Sequence, residues 1–76
     1  MANFTVRQGK RYRATISLGL LERFASNEMI AKRFDDIGFS EVRVSGNGSS
    51  RVAEALWALP DVEGDIPAQV TELVEI

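Results

Sequence analysis

Several side-chain groups in this sequence have the types and spacing that chemistry uses. Gly46-Asn47-Gly48 begins like the glycine loop that cradles phosphate with backbone N–H groups. The pattern then fails, because Arg51 stands where a third glycine is needed. If residues 50–59 were helical, the free amides of that helix start could still take an anion. If they are a strand, the same three residues are a hairpin turn. Asp61, Glu63 and Asp65, with Glu72 at the twelfth position from Asp61, have the ligand spacing of a calcium loop. Ile66 occupies the position where the sharp bend requires glycine, and Pro67 follows, so an acidic solvated loop is the expectation and no metal site is predicted. Arg7, Lys10, Arg11 and Arg13 form a basic run around Tyr12, the pairing of cations and a stacking ring that single-stranded nucleic acid favours.

Catalysis has little to work with. The chain has no histidine and no cysteine, which removes the commonest general base, the thiolate nucleophile, disulfides and the usual zinc ligands. Its serines therefore lack an imidazole to activate them. The two lysines, Lys10 and Lys32, lie in charged segments where deep burial, the usual cause of a lowered lysine pKa, is not expected. No enzyme and no cofactor are predicted.

With 76 residues there is room for one core and one domain, residues 1–76. No stretch approaches the roughly 20 apolar residues of a membrane-spanning helix. Met1 to Gln8 contains no apolar run of signal-peptide length. A soluble, unprocessed, cytoplasmic protein is expected, without membrane contact. The net charge of −2 is unevenly spread. Residues 1–33 carry seven basic and two acidic side chains, a net +5; residues 34–76 carry two and nine, a net −7. Such asymmetry marks either a partner surface or a basic strand lying beside an acidic one in the same sheet; the internal pairing is favoured, since no nucleic-acid-binding motif accompanies the charge.

The elements that must position these residues follow from periodicity. Residues 4–7 and 11–18 alternate apolar and polar and form a predicted hairpin through Gly9, with Tyr12, Ala14, Ile16 and Leu18 facing inward. Ser26 or Asn27 can cap a helix whose apolar face is Ile30, Ala31, Phe34 and Ile37, with Glu28–Lys32 as an i,i+4 pair. Gly38 is placed to end it, and Phe39 to pack back on Phe34. Residues 20–25 fit either helix or strand. A strand over 40–45 leads into the Asn-Gly turn. Residues 51–59 are strand or second helix; the tight turn favours a strand with Ala53, Ala55 and Trp57 on one face and Glu54 opposite Arg43. Trp57 is then a core residue rather than a ligand platform. A last strand runs from Gln69 to Ile76, with Val70, Val74 and Ile76 on one face.

The order ββαβββ predicts an α+β fold: a small mixed β-sheet with one helix packed on one face. The strands flanking the helix should run parallel through a right-handed crossover. In topology the layout resembles half of a ferredoxin-like fold or a SPOR-like domain, without the glycan-binding signature of the latter. One helix cannot cover a whole sheet, and the last strand is expected at an edge. The expected role is therefore a non-catalytic interaction or structural module that self-associates, as a homodimer, or binds a protein partner. One route would pair the basic N-terminal strand with the acidic C-terminal strand of a neighbour. The alternative is a single-stranded nucleic-acid-binding domain using Arg7, Lys10, Arg11 and Arg13.

Overall fold

A computed structural model describes residues 3–65 and 67–76. Met1, Ala2 and Ile66, the residue that interrupts the acidic loop, lie outside the described residues. The chain is α+β: strands β1 (Asn3–Val6) and β2 (Lys10–Ser17), a 3-10 turn over Glu22–Phe24, helix α1 (Asn27–Asp36), then β3 (Phe39–Asn47), β4 (Ser50–Trp57), β5 (Val62–Asp65) and β6 (Val70–Glu75). Four strands form one sheet in the order β3-β4-β2-β6, and β1 pairs with β5 in a two-stranded ribbon. β2 and β3, on either side of the helix, run in the same direction as expected. β4 lies between them, so every paired strand in the sheet is antiparallel. This is the split βαβ arrangement. The connection from β4 to β6 likewise joins two parallel strands with β2 between them, but it carries β5 where α1's counterpart would sit.

The predicted hairpin between residues 4–7 and 11–18 does not form. β1 leaves the sheet and pairs with β5 over Asn3↔Asp65 to Val6↔Val62. The Arg7 amide donates to the Tyr12 hydroxyl at 2.7 Å, and the Phe4 ring meets Tyr12 edge-on at 5.5 Å between centroids. β1 thus lies over the core face of β2 rather than beside it, since both edges of β2 are taken by β4 and β6.

The helix is built as its sequence implies. Ser26 Oγ accepts from the Met29 amide at 3.1 Å, satisfying one free donor at the helix start. Gly38 has φ +120° and its amide donates to the Asp35 carbonyl; Phe39 packs against Phe34 at 5.7 Å. The helical ion pair is Lys32–Asp36 at 3.5 Å, rather than Glu28–Lys32, and it offsets the acidic charge at the negative end of the helix dipole. Residues 20–25 are neither strand nor α-helix but include the 3-10 turn.

Residues 50–57 are a strand. The turn before it uses Gly48 and Ser49, since Asn47 pairs with Ser50. Gly48 has φ +62°, and glycine at the first central position is what a type II′ hairpin requires. Ala53, Ala55 and Trp57 are buried on one face, and Glu54 stands opposite Arg43 in register. The core has two centres. Val6, Tyr12, Phe39, Ala55 and Trp57 form an aromatic cluster at one end. Ala14, Ile16 and Ala53 form a lower one at the other. Phe34 and Leu73 touch both.

Two bulges shift the side-chain phase. In β3 an extra residue falls between Ser40 and Arg43, where Glu41 takes φ +51°. Phe39 and Val42 thereby share a face although three positions separate them. In β6 the register slips beside Thr15/Ile16. The inward residues of β6 are consequently Val70 and Leu73, not Val70, Val74 and Ile76; Val74 and Ile76 are exposed.

Candidate functional site

The four basic residues lie in the turn between β1 and β2 and along β2. Arg7 follows β1, and its carbonyl accepts from the Lys10 amide. Arg11 and Arg13 project from the sheet face opposite the core, where Arg11 lies 3.5 Å from Glu41 and Arg13 3.0 Å from Glu54. Tyr12 points the other way and is buried, its hydroxyl occupied by the Arg7 amide. Two basic side chains of the first half of the chain are thus paired within the sheet with acidic ones of the second. β2 is an interior strand, hydrogen-bonded on both sides to β4 and β6, so it cannot add to a neighbouring chain.

Gly46, Asn47 and Gly48 close the β3–β4 hairpin with a strand behind them instead of a helix start. The Gly46 carbonyl accepts from Asn27 Nδ2 and the Gly48 carbonyl from Arg51 Nε. No three His, Cys, Asp or Glu side chains converge to hold a metal among the described residues. Asp61 accepts from the Gln8 amide and Glu63 from Thr5 Oγ1, on separate partners.

The apolar surface is concentrated elsewhere, on the helix side of the sheet. α1 packs mainly against β3, with Ile30 and Phe34 reaching the Ala14, Ile16 and Ala53 cluster. A groove of about 560 Å³ lies beside it. Its floor is Ala14 and Ile16 of β2 with Val70 and Leu73 of β6; its walls come from α1 and from the β1–β5 ribbon. The alanine on β2 keeps the floor low, and the β4-to-β6 connection supplies no helix to fill the space.

At one end of the groove, past Leu18, Glu22 and Ala25, the 3-10 turn displays Leu20, Leu21 and Phe24. These three are 77%, 87% and 77% exposed. The turn is firmly held. Glu22 Oε1 accepts from the Gly19 amide at 3.0 Å, and Glu22 Oε2 from Gln69 Nε2 at 2.8 Å. The bond from Gln69, then that from Gly19, with the charge of Arg33 adding a smaller effect, hold the Glu22 carboxyl below the ordinary glutamate range. From beneath, Arg51 clamps the same segment. Its Nη2 donates to the Arg23 carbonyl at 3.0 Å, Nη1 to Asn27 Oδ1 at 2.8 Å and Nε to the Gly48 carbonyl at 3.1 Å. Arg51 is only 5% exposed. One guanidinium thus ties the hairpin, the 3-10 turn and the first residue of α1 together. Arg23 also stacks on Phe24, 5.2 Å from the ring centre.

Sequence reasoning did not single out Arg51 or the Leu20–Phe24 turn. For Arg51 a signal existed, since in a strand it shares the parity of Ala53, Ala55 and Trp57. The turn offered only an apolar segment that fitted neither periodicity. The chain matches no protein-family model, no curated protein and no solved structure.

Proposed function

We propose that this chain is a non-catalytic interaction module of the cytoplasm, and that it binds protein through the groove and the adjoining Leu20–Phe24 turn. The observation that carries this proposal is the turn itself: three large apolar side chains held in water by a hydrogen-bonded frame. Isolated exposed apolar residues are ordinary, but a contiguous set beside an open apolar groove marks an interaction surface. No helix among the described residues is long and apolar enough to cross a membrane. Single-stranded nucleic acid is the weaker alternative, because Arg11 and Arg13 reach carboxylates across a face of mixed sign and the stacking ring beside them is buried.

The test is affinity capture from the native host with nuclease-treated lysate, comparing the natural chain with a Leu21→Glu, Phe24→Glu double variant. Both positions are exposed, so the fold tolerates the change. The expected result is a protein identified by mass spectrometry, this chain included, that is retained by the natural sequence and lost with the variant. An identical set of captured proteins from both would refute the proposal. Capture abolished by nuclease and by Arg11→Glu with Arg13→Glu would favour nucleic acid instead.

A further inference from the structure

We infer that the groove is filled by a second copy of this chain, each copy seating its Leu20–Phe24 turn in the groove of the other. The inference rests on the interaction role proposed above and names the partner. One chain carries both halves of the contact: an apolar groove of about 560 Å³ and an apolar projection of three large side chains. The projection stands immediately beyond one end of the groove, next to Leu18, Glu22 and Ala25, which line it. A two-fold axis near Ala25 therefore brings each projection to the other copy's groove in a single closed contact. That is the isologous geometry of most small homodimers.

Three further observations favour a second copy. The projection is already rigid, through Glu22 and Arg51, so little ordering is lost on docking. Phe24 arrives with Arg23 stacked on it, while Asp65 lies among the groove residues of the copy that receives it; opposite charges there fix orientation. The four-stranded sheet is poorly suited to strand addition: β2 is interior, and its two edge strands, β3 and β6, each carry a bulge, which disfavours edge-to-edge pairing.

Sedimentation equilibrium across the micromolar range tests this directly. A dimer of the 8.4 kDa chain is expected, with Leu21→Glu or Phe24→Glu raising the dimer dissociation constant by at least about tenfold, the loss of one buried side chain. Far-ultraviolet circular dichroism on each variant checks that the fold is retained. Because the sequence has no cysteine, a mixture of Leu21→Cys and Val70→Cys chains offers a second readout. The mixed disulfide should form in preference to one between Leu21→Cys and Glu41→Cys, the latter on the far face of the sheet. A monomer at every concentration overturns the inference, as does a dimer that survives both glutamate variants or a ladder of higher species. A monomer whose captured partner is lost with the double variant leaves the interaction role standing with a foreign protein in the groove. A monomer with no such partner removes both.

Discussion

Replacing Arg51 by lysine and by methionine should give an unusual order of stabilities. The guanidinium is buried and makes three hydrogen bonds, to the Gly48 and Arg23 carbonyls and to Asn27 Oδ1. All three acceptors are neutral, so the charge is solvated by dipoles without a carboxylate partner. Hydrogen bonds to a charged group contribute about 1.5–3 kcal/mol each. Lysine keeps the buried charge but presents one ammonium in place of a planar fork. It can retain one of three bonds directed at separate acceptors, at a net cost of about 3 kcal/mol. Methionine strands the acceptors too, but it also removes the several kcal/mol needed to desolvate the cation, leaving a net cost of about 1–2 kcal/mol. Stabilities of about 0.05–0.15 kcal/mol per residue imply roughly 4–11 kcal/mol for a domain of this length, so the lysine variant approaches unfolding. Urea titration followed by Trp57 fluorescence measures both. Trp57 is the only tryptophan, is buried, and packs 4.8 Å from Phe39. At about 4–8 °C per kcal/mol, the lysine variant should lose roughly 12–24 °C in Tm. A lysine variant within about 0.5 kcal/mol of the natural chain, or a methionine variant less stable than the lysine one, refutes the account of Arg51 as a three-way clamp.

Gly38→Val should cost about 3 kcal/mol or more, because φ is +120° and an added Cβ would come within 2.8 Å of both Leu59 and Trp57; an unchanged Tm would mean that the helix stop is misplaced. Glu22 should titrate below the ordinary glutamate range in a carbon-detected NMR titration, and Gln69→Ala should move it back upward, since the Gln69 bond is the largest cause of the shift. A carboxyl held lower in the folded state stabilises above its unfolded pKa and ceases to do so as pH falls through the folded one. The stability difference between the natural chain and Glu22→Gln should therefore shrink toward acid pH, and a difference that grows there would contradict the assignment.

What could be read from sequence was local. The alternation of Arg11 to Leu18 placed Tyr12, Ala14 and Ile16 inward, and they are buried. Ser26, Gly38 and the Phe34–Phe39 contact marked both ends of the helix. The turn signal decided strand over helix for residues 51–59 against the helix propensity of Ala53, Glu54, Ala55 and Leu56, and the strand runs over Ser50–Trp57, two residues short of that range at its end. What escaped was of two kinds. β1 pairs with β5, nearly sixty positions away, because Phe4 and Val6 gain aromatic contacts across the sheet, and no local period reports that. Single inserted residues also reverse the face of everything after them, so the slip in β6 exchanged Leu73 for Val74 and Ile76. The candidate surface was the least legible part, since it depends on where no helix sits.

The location of the exposed apolar surface follows from how the remaining surfaces are closed. On the outer face of the sheet, Arg11 and Arg13 meet Glu41 and Glu54 across the strands, so two basic side chains of the first half of the chain are paired with acidic ones of the second. Ion pairs this exposed contribute about 0–1 kcal/mol; they set the character of the face more than its stability. At the edges, β3 is twisted by the positive φ of Glu41, and β6 combines a slipped register with Glu72 and Glu75. Both are devices that keep edges from pairing with other chains. The groove has no such guard. Its floor is alanine and branched aliphatic side chains, and the segment at its mouth is anchored through one buried arginine and one glutamate whose pKa is lowered. A frame of that kind costs desolvation at Arg51 and holds Leu20, Leu21 and Phe24 in water. Holding the turn outward is thus a feature of the fold itself, and it leaves three large apolar side chains exposed at the mouth of the groove.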